Sequence, residues 1–177
     1  MSKFIIEGGQ PLRGTITASG NKNAALKLLP ACLLTDEPVI LHNIPAIRDV
    51  ENTILILRDL GVEMTDLGGG SWRVHAREVA KTDLDPHLAG RTRASFVFAG
   101  PMLARAGRVC LPIPGGDVIG GRPLDTHVQA LTALGAAVNV SRRGVFEMNA
   151  PKLRGAGYLL LAEASVTATE NAVMAAV

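Results

Sequence analysis

Hydrophobic and polar positions along the chain alternate between two periods. In "PLDTHVQALTALG" (123–135) the apolar residues Leu124, Val128, Leu131 and Leu134 recur at steps of three and four, the spacing of one helix face. Similar patterning predicts helices through "NKNAALKLLPACLL", which must tolerate or bend at Pro30, through "VENTILILRDLG" (50–61) and through "RASFVFAGPMLARAG" (93–107). Short β-prone runs lie between them. "VILHNI", "VEMTDL", "WRVHA", "RVCLPI", "AAVNV" and "VFEMN" read as strands, with turns at Gly68 to Gly70 and around Arg143 and Gly144. Two further strands are expected near Lys3 to Glu7 and Leu12 to Ala18, and another at "GYLLLA" (157–162) before a helix "TATENAVMAAV".

The order helix, strand, helix, strand, strand occurs twice. Superposing "IRDVENTILILRDLGVEM" on "GRPLDTHVQALTALGAAV" brings Arg48 onto Arg122, Val50 onto Leu124, Glu51 onto Asp125, Leu60 onto Leu134 and Gly61 onto Gly135, a constant offset of 74. Upstream, "NAALKLLPACLL" faces "RASFVFAGPMLA" at an offset of 70, so four extra residues fall in the glycine-rich stretch before Arg122. The expected organisation is one full unit over about 21–88, a second over 89–154 and the start of a third over 155–177. The chain stops at Val177 within an apolar helix that lacks a cap, as a truncated chain would.

Composition narrows the function. With 18 basic and 16 acidic residues and no long basic run, bulk attraction to nucleic acid or to a membrane surface is not indicated, and an anion site must be local. Aromatic residues at 3% leave few platforms for stacking bases. Cys32 and Cys110 sit in apolar stretches without a close cysteine partner and read as buried, reduced core residues. His42, His75, His87 and His127 show no ligand spacing, so no metal and no histidine chemistry is assigned. The N-terminus lacks a signal-peptide segment and no run is long enough to span a membrane, so the expectation is a soluble, cytoplasmic protein.

The inserted loop, "PGGDVIGGRPLD", holds the carboxyl of Asp117 among Gly115, Gly116, Gly120 and Gly121 and ends in Arg122 at a helix start. Glycines let such a loop move and approach a ligand, and a cation beside free helix N–H groups suits an anion. Taken alone, the loop reads better as a solvated surface loop, since glycine-rich loops are weak signals. As an insertion on a repeated scaffold, it reads better as function.

"SGNKNAAL", "RTRASFVFAGPMLAR", "PGGDVIGGRPLD" and "SVTATENAVMAA" together resemble the UDP-N-acetylglucosamine enolpyruvyl transferase (1-carboxyvinyltransferase) family, in that family's order and spacing and over essentially all 177 residues. The resemblance implies an inside-out α/β barrel, two lobes of three repeats each, with substrates bound between them. It makes this chain less than half of such an enzyme and assigns residues 1–20 to strands of the other lobe, with 21–177 as the first lobe. The implied reaction transfers the enolpyruvyl group of phosphoenolpyruvate to the 3-hydroxyl of UDP-N-acetylglucosamine, the first committed step of peptidoglycan synthesis, without a cofactor. The shikimate-pathway enolpyruvyl transferase is the nearest enzymatic rival, with a weaker resemblance at "SGNKNAAL". A non-catalytic nucleotide-sugar-binding or structural fragment is the alternative of a different class. An unfinished third repeat would also expose apolar surface and favour self-association.

The family's roles carry over onto matching positions. Lys22 and Asn23 match the pair that contacts phosphoenolpyruvate and the reacting sugar, although from the residues alone Lys22 reads as a solvated lysine and Asn23 as a helix cap. Arg93 matches an arginine facing the diphosphate or phosphoenolpyruvate. Arg122, Pro123, Leu124, Asp125 and Thr126 match the segment that binds UDP-N-acetylglucosamine, with Asp125 accepting from uracil or serving as a first-turn helix charge. Ser165 and Val166 match a further stretch of the nucleotide site, where Thr167 replaces a common glycine. Asp117 stands where many relatives have cysteine, and the resemblance makes it the proton donor to C3 of phosphoenolpyruvate.

Overall fold

The computed structural model describes residues 3–116 and 123–177, so Asp117 and Arg122 lie outside the described residues. Helix α1 (Lys22–Ala31) continues through Pro30 and tightens into a 3-10 turn at Cys32–Leu34. Strand β1 (Val39–Leu41), helix α2 (Arg48–Asp59), β2 (Glu63–Gly68) and β3 (Ser71–His75) complete the first unit. A short helix α3 (Pro86–Ala89) leads to a 3-10 segment Arg93–Phe98 and α4 (Ala99–Ala106). Strand β4 (Arg108–Leu111), α5 (Asp125–Ala133), β5 (Ala137–Val140) and β6 (Phe146–Asn149) complete the second, and α6 (Val166–Ala176) follows.

The two units share one topology. Their sheets have the orders β1-β3-β2 and β4-β6-β5, with the last strand of each unit antiparallel to both neighbours. The register repeats too: Val39 pairs with Val74 and Leu41 with Trp72, as Val109 pairs with Met148 and Leu111 with Phe146. Both crossover helices end the same way. Gly61 at φ +96° and Gly135 at φ +98° follow buried Leu60 and Leu134, in the left-handed conformation that lets the chain leave a helix without a Cβ clash.

Helices lie inside and sheets outside. Every residue from Ala99 to Leu103 in α4 is buried, so the first part of that helix is covered on all sides, whereas β2 and β5 keep most residues at the surface. Leu29, Leu33, Leu57, Phe96, Phe98, Met102 and Met148 fill the space between.

Three local expectations are corrected. The segment from Arg93 is not one continuous α-helix, because Pro101 has no N–H and would crowd the carbonyl four residues earlier. Instead α4 begins at Ala99 with Pro101 in its first turn, after a tighter 3-10 segment. Residues 3–19 form no strand, and Phe4, Ile5, Ile6, Leu12 and Ile16 are exposed, since a strand exists only through pairing and no described strand lies alongside. Nor is 157–162 a strand. There the side-chain amide of Gln129 on α5 takes the partner's place, donating to Leu160 O at 3.0 Å and accepting from Ala162 N–H at 2.9 Å. Of the cysteines, Cys32 is buried and free, with burial pushing its thiol up to about 11, while Cys110 is free but only half-buried.

Contact between α4 and α6 depends on Gly100. A Cβ there would lie 2.4 Å from the Asn171 carbonyl oxygen. Gly100→Ala is therefore expected to destabilise the chain by about 1–3 kcal/mol through overpacking, read as a lowered denaturant midpoint. An unchanged midpoint would show that α6 is not packed as described.

Candidate functional site

Three N-terminal turns, one in each of the two units and one at α6, carry side-chain caps of the same kind. Asn21 accepts from Ala24 N–H at 2.9 Å, Thr92 from Ala94 N–H at 3.3 Å and Ser165 from Ala168 N–H at 3.3 Å. The residues just inside these caps, Lys22 and Asn23, Arg93 and Ala94, and Thr167, line a single cleft of about 540 Å³. The positive ends of the helical dipoles therefore meet there, the arrangement that favours anions. Lys22, Lys27, Arg48, Arg91 and Arg93 face it against one carboxylate, Asp49, among the described lining residues. Lys22 Nζ lies 2.8 Å from Asp49 Oδ2, a half-exposed pair that fixes the ammonium on the wall.

A second hollow of about 690 Å³ adjoins the first, sharing Arg93 and Leu124. It is lined by Ile113, Pro114, Val128, Val140 and Phe146 with Asp125 and Gln129, an apolar slot with few polar groups. Arg93 links the two and donates to Pro123 O at 3.4 Å. A further cavity of about 650 Å³ lies at the other ends of α4 and α6 and contains none of the candidate residues.

The candidate residues separate on this frame. Lys22, Asn23, Arg93 and Leu124 come together on the cationic cleft, and Arg93, Leu124 and Asp125 on the apolar one. The cap of α1 is Asn21, so Asn23 is not spent on capping. Asp125 begins α5 two residues later than Pro123. Thr126 is buried and lines neither hollow, Ser165 is engaged as the cap of α6, and Val166 is exposed outside both lining sets. Gly116, the last described residue before Asp117, lines the cleft.

Sequence reasoning missed Asp49 and His127. His127 is buried and lines the cationic cleft, edge-on to Phe96 with ring centroids 5.1 Å apart. Its Nδ1 lies 2.9 Å from Asn171 Nδ2 and its Nε2 3.0 Å from Thr167 Oγ1. Asn171 Oδ1 accepts from Gly100 N–H at 2.8 Å and Nδ2 donates to Phe96 O at 2.9 Å, so the amide cannot be turned over without facing donor to donor and acceptor to acceptor. The second Nδ2 proton then goes to His127 Nδ1, which makes Nε2–H the donor to Thr167. Burial first, and the Arg93 cation second, hold the imidazole down at about 4, so it is neutral near pH 7. The hints in the sequence are slight: His127 lies two residues beyond "PGGDVIGGRPLD" and Asn171 in the middle of "SVTATENAVMAA".

Comparison with known proteins agrees with this architecture. The family described as EPSP synthase (3-phosphoshikimate 1-carboxyvinyltransferase) matches residues 6–177, and the chain belongs to that family. Two curated relatives named UDP-N-acetylglucosamine 1-carboxyvinyltransferase are 51% identical over 99% of the chain (Bradyrhizobium diazoefficiens) and 49% identical over 99% (Treponema denticola), covering 40% and 41% of those proteins. The chain thus spans about 40% of the length of the curated relatives it matches. The enolpyruvyl transferase NikO from Streptomyces tendae superposes with a TM-score of 0.74 at 18% identity, over 95% of this chain and 39% of that one. EPSP synthase from Acinetobacter baumannii gives 0.67 at 16%, over 92% and 37%. These two show the fold. Among the described residues no helix is long and apolar enough to cross a membrane.

The His127 network makes stability depend on pH. Its folded value lies below the ordinary 6.5, so between about 6.5 and 4 the unfolded chain binds a proton that the folded chain does not. Stability is expected to fall as pH drops through that window, by up to about 3 kcal/mol from this residue. Urea melts at pH 7.5 and 4.5 should show a smaller loss in His127→Gln than in the wild type. Equal losses would remove His127 as the cause.

Proposed function

We propose that the chain forms one wall of the substrate cleft of a UDP-N-acetylglucosamine enolpyruvyl transferase, in which the sugar 3-hydroxyl loses its proton and bonds to C2 of phosphoenolpyruvate as C3 is protonated, and the tetrahedral intermediate then expels phosphate from C2 while a proton leaves C3 to restore the double bond. The observation that carries this reading is the convergence of Lys22, Arg93 and Thr167 from three units on a cationic cleft that opens into an apolar slot. Phosphates suit the first hollow and a uracil ring the second, where Leu124 supplies apolar surface and Asp125 can accept from the base. Two relatives near 50% identity carry the name of that activity.

Chemistry at C3 needs an acid, and Asp117 is assigned to it because the family resemblance sets it where many relatives have cysteine. An isolated carboxyl titrates near ~3.9, so an acid for C3 must be kept protonated by the ligand-bound site. Phosphoenolpyruvate and the diphosphate are anions, which disfavour a nearby carboxylate, so the reading makes Asp117 an acid only with both ligands bound. Residues 3–19, with Phe4, Ile5, Ile6, Leu12 and Ile16 exposed, are assigned to pairing with the second lobe. The general base and the remaining phosphoenolpyruvate contacts are assigned there too. The same reading places the enzyme in the cytoplasm.

The 177-residue chain is expected to release little or no phosphate from phosphoenolpyruvate and UDP-N-acetylglucosamine, and robust turnover by the monomer would contradict the one-wall reading. In a two-lobed enzyme carrying this chain, Asp117→Asn should lose most turnover yet still bind the nucleotide sugar. Asp117→Cys should stay within about tenfold of wild-type turnover and become alkylated by the epoxide fosfomycin, because a thiolate is the better nucleophile. Turnover and adduct mass decide this; full activity of the Asn variant would remove Asp117 from the acid role. A preference for 3-phosphoshikimate as acceptor would move the assignment to the rival enzyme.

A further inference from the structure

Thr167 is the second residue of α6, and its hydroxyl behaves differently from those of Thr53 and Thr169. The hydroxyl of Thr53 turns back onto the carbonyl of Asp49 at 2.9 Å and that of Thr169 onto Ser165 O at 2.8 Å, the usual use of threonine in a helix. Position 163, four residues before Thr167, precedes α6, and among the described residues the Thr167 hydroxyl has only His127 as its partner. That partner is a donor. Asn171 occupies His127 Nδ1 with an N–H, which leaves the imidazole proton on Nε2, and Nε2–H donates to Thr167 Oγ1 at 3.0 Å. A hydroxyl that already accepts from histidine keeps its own proton for another acceptor. Thr167 and His127 both line the cationic cleft with Lys22 and Arg93. The acceptor best suited to that position is an anionic oxygen.

We propose that Thr167 is a ligand-binding residue whose hydroxyl, oriented by the Asn171–His127 pair, donates to a phosphoryl oxygen of the substrate held in this cleft. The inference rests on the enolpyruvyl-transferase reading and adds a side-chain contact where the family resemblance puts a glycine. His127 and Asn171 are positioning residues: they touch Thr167 and the backbone, and act on the ligand through the hydroxyl.

Calorimetric titration of the wild-type chain, Thr167→Ser and Thr167→Val tests this, with inorganic pyrophosphate, UDP-N-acetylglucosamine and phosphoenolpyruvate as separate probes. Valine keeps the shape without the hydroxyl, and serine keeps the hydroxyl. Thr167→Val should weaken pyrophosphate binding about tenfold, the worth of one hydrogen bond to a charged group, while Thr167→Ser stays within about twofold. The substrate that shows the same pattern is the one that places its phosphoryl oxygen there. If pyrophosphate shows it and neither substrate binds, the phosphoryl contact stands and the substrate assignment falls. Equal pyrophosphate affinity in valine and wild type, serine as weak as valine, or no binding of pyrophosphate by the wild type each overturns the proposal.

Discussion

The side-chain amide of Asn171 is the interaction on which the site depends. It is fully buried, and it satisfies the Gly100 N–H, the Phe96 carbonyl and His127 Nδ1 at 2.8–2.9 Å. Those partners come from α4, from the 3-10 segment before it and from α5, so a single amide ties α6 to three helical segments of the second unit. Removing it would leave a buried N–H and a buried carbonyl without partners, each costing about 1–3 kcal/mol, which makes the junction specific as well as stable. Gly100 permits the close approach that the bond requires.

That junction sets the geometry of the cleft. With α6 held against α4 and α5, its cap at Ser165 comes level with the caps at Thr92 and Asn21, and three sets of N-terminal groups face one space. Cations at the edge, Lys22 and Arg93 in particular, reinforce the field of the helix ends. The apolar slot beside Leu124 exists because β4, β5 and β6 lie outside the helices and leave Ile113, Val140 and Phe146 along its wall. Two adjoining hollows, one cationic and one apolar, follow from the repeat architecture, and the proposed ligand is anionic at one end and a base at the other.

Much of this architecture was legible in the residues. The offset of 74 between Gly61 and Gly135 reflects two helices that end with the same left-handed residue, and the apolar spacing of Leu124, Val128, Leu131 and Leu134 places α5. Failures came where a segment's state depends on what lies beside it. The runs near Lys3 and Leu12 have strand composition without a strand neighbour, and 157–162 is held by Gln129, a side chain whose role no periodicity reveals. At the candidate site, Lys22 and Arg93 stand out from the motifs, and the structure brings both onto one cleft. His127 does not stand out, because its place in the cleft follows from a hydrogen bond to a residue 44 positions away.

The central claim is that three units contribute to one ligand cleft. Residue-resolved amide NMR during titration with UDP-N-acetylglucosamine tests it most directly. Shifts should appear together at Asn23, at Arg93, at Leu124 and Asp125, and at Thr167, saturating with one affinity. Shifts confined to a single unit, or centred on the cavity around Ala150 and Ala175, would contradict it.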